Sequence, residues 1–300
     1  MAASSIALVT CAEYPDLTPD DLPFAAALER RGWRPVAARW DDPAVAWNAH
    51  AAVVLRSCWD YHQHADAFEA WLGRLERAGA PVHNPLPTLR WNFRKTYLRD
   101  LAGAGVPTMA TEWVERGSRT TLRDVADATG WSVMVVKPII SASGWETWLV
   151  ERAGDPEDER RFAAHLQARD LMVQRFMRGV QTDGEISLIF LGGRFSHAVR
   201  KRPMPGEFRV QEEHGGTVAR ETVPAIVVRQ AARALAAVPA AAHGEEPGAP
   251  LYARVDGMVL DGTLIVTELE LIEPKLYFGW GDGSADTLAD LLDRELRAGG

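Results

Sequence analysis

VTELELIEP, residues 266–274, is the stretch that decides the fold. It alternates as a β-strand does, with Leu269 and Leu271 on one face and Glu268 and Glu270 on the other. The run before it, LYARVDGMVL at 251–260, has the same period, and Asp261-Gly262 between them is the strongest short hairpin signal in the chain. Strands joined by a two-residue turn lie about 4.8 Å apart, so Asp256 joins Glu268 and Glu270 on one sheet face. Three acids placed together raise one another's pKa unless a cation sits among them. Hard oxygen donors suit magnesium. An E-x-E alone reads more plainly as a solvent-facing strand edge, but Arg254 alternates with Asp256 on the partner strand and favours the metal.

Working outward, the N-terminal third alternates strand and helix. IALVTC at 6–11, a helix ending at Arg31, RPVAARW, AAVVLRS at 51–57 and the helix AFEAWLGRLERAG predict a small parallel α/β unit ending near Asn84. NPLP marks a boundary. A helix is expected from about Thr88 to Leu101, then strands through VMVVKPI and WLVER, the helix DPEDERRFAAHL and the strand LMVQRF. Beyond these, EISLIFLGGRFSHAVRKRP reads as a hairpin turning at Gly192-Gly193, followed by irregular GEFRVQEEHGG, a helix at 223–237 and the loop AAAHGEEPGAP. The fold class is α/β and α+β: an N-terminal α/β lobe (1–85), a central lobe (86–178) and a C-terminal lobe (179–300).

The 300 residues are 47% hydrophobic and 25% charged, an ordinary globular composition. The apolar run near the N-terminus stops within a few residues and lacks a basic start, so it reads as a first strand rather than a signal peptide. No run reaches membrane-span length. Two cysteines without a C-x-x-C pair fit a reducing, cytoplasmic setting and exclude a cysteine zinc site. A net charge of −8 argues against nucleic acid as the main partner and toward a small molecule. A homo-oligomer is compatible with this composition.

Magnesium implies phosphate, yet the chain has neither a G-x-x-x-x-G-K-[ST] loop nor a G-x-G-x-x-G turn. Lys137 closes the apolar strand VMVV and precedes the small-residue loop SASGWETW. A lysine there can reach phosphates while backbone N–H groups close over them; a solvated lysine beside a plain hairpin loop is the bland alternative. Arg56 and Asp60 lie just past the third strand, where open α/β sheets commonly bind ligands. Arg56 could fork onto a substrate carboxylate and Asp60 pair with its amine; a surface ion pair, or a helix N-cap for Asp60, explains them equally well. His62 and His64 read as exposed helix-start residues rather than zinc ligands. Of the eleven tryptophans, Trp145 and Trp148 are the two expected to cover ligand. Glu273 falls out of the alternation, before a proline, and caps the strand end or positions substrate.

Taken in order, Lys95, Lys137-Pro138 before a small-residue loop, QRFM at 174–177, Glu185, the run RKRPMPGEFRVQEEHGG, R-x-D and E-x-E resemble the ATP-grasp superfamily of carboxylate–amine ligases. That run is similar to the corresponding segment of bacterial glutathione synthetases. The resemblance implies ATP held between two antiparallel sheets, with Lys95 and Lys137 on its phosphates. A mobile lid at 141–148 would include Ser141, Ser143 and Gly144. Gln174, Arg175, Phe176 and Met177 would meet the adenine, and Glu185 the ribose. Asp256, Glu268 and Glu270 would hold two magnesium ions, Arg209, Arg254 and Lys201 would be catalytic, and Arg200 would meet substrate. The chain departs from many relatives in having Glu270 where they have asparagine, and one glycine in the lid where they have several. RSCWDY, WNFRKTYL, SHAVRK and ELELIEP look most like the cycloserine-forming branch, which closes O-ureido-D-serine into a ring through an acyl phosphate. Two alternatives stay open: an intermolecular amino-acid or peptide ligase, and a nucleotide-binding regulator without turnover.

Overall fold

The structure is a computed structural model describing residues 4–242 and 249–298. The first lobe runs β1 (Ser5–Thr10), α1 (Leu22–Arg30), β2 (Arg34–Arg39), β3 (Ala52–Ser57), α2 (Ala65–Arg77) and β4 (Val82–His83). Its strands form a parallel sheet in the order β2-β1-β3-β4. All of β3 is buried, as a strand covered on both faces must be. Phe68, Trp71, Leu72 and Leu75 make the apolar stripe that seats α2 on the sheet.

The expected helix from Thr88 to Leu101 is two helices, α3 (Leu86–Asn92) and α4 (Tyr97–Gly103). Lys95 lies in the break, and its amide donates to the Ile139 carbonyl at 2.9 Å instead of continuing an i→i−4 ladder. Then follow β5 (Thr111–Val114), α5 (Leu122–Thr129), β6 (Met134–Pro138), β7 (Trp148–Val150), α6 (Pro156–Ala168) and β8 (Leu171–Arg175), with an antiparallel sheet ordered β5-β8-β6-β7. Thr121 and Asp124 form a reciprocal capping box that starts α5.

The last third holds the single-turn α7 (Gly179–Thr182), β9 (Glu185–Leu191), β10 (Arg194–Arg202), β11 (Thr217–Glu221), α8 (Ala225–Ala236), β12 (Tyr252–Leu260), β13 (Thr263–Glu270) and α9 (Ser284–Ala298). Its antiparallel sheet runs β11-β10-β9-β12-β13. Both expected hairpins form, and Asp261 and Gly262 turn with φ of 49° and 78°, the left-handed pair that a two-residue hairpin needs. The loop expected at 240–250 falls largely outside the described residues. After β13 the chain returns to the first lobe: Leu276, Phe278, Leu288 and Leu292 share a core with Ile6, Leu8 and Phe24, and Arg31 pairs with Asp286 and Asp290. Residues 179–300 therefore do not form a self-contained lobe. The cleft lies where the two antiparallel sheets face each other and this returning segment meets the first lobe.

Candidate active site

The floor of the cleft is the β12–β13 ladder. Arg254 faces Glu270 and Asp256 faces Glu268, with a register shift just after Asp256. At Gly257 a Cβ would fall 2.6 Å from the Ile265 carbonyl oxygen, so only glycine lets the strands close there. Oxygens of Asp256, Glu268 and Glu270 lie within 4.8 Å of one another.

Four cations answer these acids. Lys95 and Lys137 both donate to Glu268, at 3.1 and 3.2 Å. Lys201 donates to Asp256 at 3.2 Å and pairs with Glu185 at 2.6 Å. Arg254 donates to Asp256 at 2.9 Å and also bonds Glu270. The Ser187 and Thr267 hydroxyls donate to Asp256 and Glu185, each at 2.6 Å. These neighbours divide the acids. Burial alone would raise the Glu268 carboxyl, but Lys95 and Lys137 hold it far below the usual carboxylate range. Asp256 is likewise lowered, against burial, by Arg254 and Lys201. Burial pushes Glu270 up to about 7, with Asp256 and Glu268 adding and Arg254 opposing. Glu273 is pushed up to about 8 by burial and by Glu270. Lys137 is lowered by burial and by Lys95, with Glu268 opposing.

The walls come from the other elements. The break between α3 and α4 turns Lys95 into the cleft, and Lys137 enters from β6 with Val135 two residues before it on the same face. Gln174, Arg175, Phe176 and Met177 line the cleft at the end of β8. Of their amides, Arg175 donates to Ala110 and Phe176 to Val133. Across from them Arg209 is held by Glu207 at 2.7 Å, and this contact pulls Glu207 down to about 2.

The 141–148 segment reaches over the cleft. Ser143, Gly144 and Glu146 have φ of 49°, 69° and 49°. His214 lies 3.2 Å from the Ser143 carbonyl. Trp145 packs between the His62 ring, 5.0 Å away, and the Arg169 guanidinium, 4.7 Å from its centroid. The segment thus touches the 209–214 stretch on one side and the first lobe on the other.

The family model for the N-terminal domain of D-cycloserine synthetase DcsG matches residues 6–84. Over nearly its whole length the chain is similar to the cycloserine biosynthesis protein DcsG of Streptomyces lavendulae: 31% identity over 307 residues, covering 97% of this chain and 99% of that protein. The chain belongs to the DcsG family of ATP-grasp ligases. The crystal structure of D-cycloserine synthetase DcsG superposes with a TM-score of 0.89 at 28% identity, over 98% of this chain and 100% of that one. D-alanine–D-alanine ligase from Bacillus anthracis, solved in complex with ATP, shares the fold at a TM-score of 0.69 and 16% identity, over 99% and 100% of the two chains.

Within this ATP-grasp fold, seventeen of the twenty site residues expected from sequence line one cleft: Lys95, Lys137, Ser141, Ser143, Gly144, Gln174, Arg175, Phe176, Met177, Glu185, Lys201, Arg209, Arg254, Asp256, Glu268, Glu270 and Glu273. Three do not. Arg56 is fully buried, donating to Asp21 and to the Pro274 carbonyl, both at 2.9 Å, so its guanidinium serves the protein's own groups rather than a substrate. Asp60 accepts from the Trp40 indole at 2.7 Å. Arg200 bonds Glu221 at 2.6 Å and the Asp183 carbonyl at 2.8 Å, because adjacent strand residues face opposite ways and Lys201 takes the cleft side. Nor does Trp148 cover ligand, since it is buried in the core beneath β6. His62 is buried, not exposed, and burial lowers its imidazole to about 4. The cleft also contains Trp59, Tyr61, Phe93, Lys275 and Tyr277, which the sequence reading passed over. Period two restarted at Glu273, continued by two and by four residues, identifies Lys275 and Tyr277.

Among the described residues no helix is long and apolar enough to cross a membrane.

Proposed function

We propose that the chain is a magnesium- and ATP-dependent cyclo-ligase that converts O-ureido-D-serine to D-cycloserine, working in the cytoplasm on a small amino-acid-like substrate. The observation that carries this reading is the similarity to DcsG along the full length of both chains, joined to a cleft that holds acids, lysines and an arginine in one network. ATP supplies a phosphoryl group to the substrate carboxylate, forming an acyl phosphate and ADP. The nitrogen bonded to the side-chain oxygen then attacks the acyl carbon, phosphate leaves, and the ring closes. Water takes up the carbamoyl group, which departs as carbon dioxide and ammonia. Nucleophile and electrophile lie in one molecule, so ring closure gains an effective molarity on the order of 10⁵ M or more when well oriented.

In this proposal Lys95 and Lys137 bind the phosphates, Ser141, Ser143 and Gly144 cover them, Gln174 to Met177 meet the adenine, and Glu185 lies near the ribose. Asp256, Glu268 and Glu270 fit magnesium, since their oxygens converge within 4.8 Å and are the hard donors it takes. Two magnesium ions held there would offset the negative charge that develops in phosphoryl transfer. Arg209, Arg254 and Lys201 are aimed at that same charge. Glu273 meets the amino acid.

The test is ADP release across free amino acids and both O-ureidoserine enantiomers, with mass detection of the product. ADP and D-cycloserine formed from O-ureido-D-serine alone are expected. A requirement for a separate amine would make the enzyme an intermolecular ligase, and AMP formation or no turnover would refute the reading.

A further inference from the structure

Beyond Glu270 the chain has left the sheet, yet residues 273–278 are not loose. Buried backbone groups need partners; Arg254 donates to the Lys275 carbonyl at 3.2 Å and His197 lies 3.0 and 3.1 Å from the Leu276 and Tyr277 carbonyls, and side chains of the first lobe supply the rest. The Trp59 indole donates to the Glu273 carbonyl at 2.9 Å. Arg56 donates to the Pro274 carbonyl at 2.9 Å, while its Nε is held by Asp21 and its guanidinium lies 5.2 Å from the Tyr252 ring centroid. Asp20 accepts three successive amides: Leu276 and Tyr277 on Oδ2, each at 3.0 Å, and Phe278 on Oδ1 at 2.9 Å. The side chains that alternate off this backbone toward the cleft are Glu273, Lys275 and Tyr277. Neither Asp20 nor Arg56 lines the cleft.

We propose that Asp20 and Arg56 are positioning residues for the reaction: by fixing the backbone of residues 274–278 they set where Glu273, Lys275 and Tyr277 meet the amino-acid substrate. The identity of that substrate rests on the function proposed above; the positioning does not. Three amides converge on one carboxylate, and a buried guanidinium shares its donors between Asp21 and the Pro274 carbonyl. A first lobe that merely packed against the segment would need neither arrangement. The lobe that binds no phosphate in the proposed scheme therefore acts on substrate selection through the backbone.

The experiment compares the full-length wild type with Asp20→Asn, which keeps shape but replaces one acceptor oxygen with an NH2 group that confronts an amide. KM for the amino-acid substrate should rise roughly tenfold, the effect of one charge-assisted hydrogen bond, while KM for ATP stays within about twofold. Amide exchange in peptides covering 275–279 should accelerate at least about tenfold, with β9 and β12 unchanged. Arg56→Lys keeps the charge opposite Asp21 but loses the fork, and should shift the same two readings in the same direction. Unchanged substrate KM and unchanged exchange would overturn the proposal, as would substrate and ATP KM rising together, which marks general loosening. If the wild type does not turn over O-ureido-D-serine, the cyclo-ligase reading fails by itself. The KM comparison then moves to whichever amino acid releases ADP, and the exchange comparison decides the positioning without any substrate.

Discussion

Replacing Glu268 by glutamine removes the anion that Lys95 and Lys137 share. With Nζ–Oε1 distances of 3.1 and 3.2 Å, each attraction amounts to about 5 kcal/mol at an effective dielectric near 20. Glutamine keeps an acceptor oxygen, and 25% of the Glu268 side chain is exposed. The net loss in the nucleotide-free protein should therefore sit at the low end for removing one partner of a buried pair, about 3 kcal/mol. Lys137, already lowered by burial and by Lys95, falls further without Glu268. A lysine depressed in the folded state binds fewer protons than the unfolded chain does, so the variant should regain stability as pH rises from 7 toward 10. Urea unfolding in EDTA at pH 7 and 9.5 measures both effects. On the proposed function, phosphates supply the missing negative charge, so ATP without magnesium should bind the variant at least as well as the wild type. Added magnesium should tighten ATP binding only in the wild type, and turnover should fall on the order of 10³-fold. A variant as stable as wild type at pH 7 would remove Glu268 from the ion-pair role, and one whose ATP binding magnesium still strengthens would remove it from the metal role.

Glu273, pushed up to about 8 by burial, binds a proton in the folded state that the unfolded chain releases above about pH 4.5. Stability is therefore lost as pH rises from 4.5 through 8. Glu273→Gln should stabilise the protein by about 4 kcal/mol at pH 8 and about 1 kcal/mol at pH 5 while raising KM for the amino-acid substrate; equal unfolding midpoints for variant and wild type at pH 8 would contradict this. His62 is lowered from 6.5 to about 4 by burial, so its cost is absent above pH 6.5 and grows as pH falls toward 4, reaching about 2 kcal/mol at pH 5. His62→Phe should cancel that acid-side loss while keeping the contact with Trp145, and parallel stability profiles of variant and wild type would show the reasoning wrong. At Gly144, with φ of 69°, a Cβ would meet Arg209 Cδ at 3.2 Å and His214 Nε2 at 3.3 Å. Gly144→Ala should displace the 141–148 segment and raise KM for ATP severalfold with folding preserved; an unchanged KM would exclude this contact from nucleotide binding.

Where pattern and local chemistry coincide, the sequence reads through to the structure. Period two on both sides of Asp261-Gly262 places Asp256, Glu268 and Glu270 on one face, and the structure brings their oxygens together. The misses trace to partners distant in sequence. Nothing between Thr88 and Leu101 breaks a helix, because the group that breaks it is the Ile139 carbonyl. Arg56 reads as a ligand for a carboxylate, and it is one, but the carboxylate is Asp21, 35 residues away. Arg200 is a different kind of error: strand parity alone forbids it and Lys201 from facing the same cleft.

The segment after Glu270 shows why the first lobe's part in the site is not legible from side chains aimed at ligand. A strand advertises itself by period two and finds its partners in another strand. Residues 273–277 alternate again but in a shifted phase, and most of their backbone partners are side chains: an aspartate, an arginine and an indole scattered through the first lobe, with Arg254 and His197 from the last third. No local pattern encodes such a pairing, since each bond is side chain to backbone across the width of the molecule. The same arrangement lets substitutions in the first lobe act on substrate recognition through the 274–278 backbone, whose link to the acids and lysines on β12 and β13 runs through Arg254 and the Lys275 carbonyl. In a ligase that holds ATP's phosphates and selects an amino acid in one cleft, nucleotide binding and amino-acid recognition can then vary separately. Asp20→Asn probes that separation, because it should move KM for the amino acid and leave KM for ATP where it was.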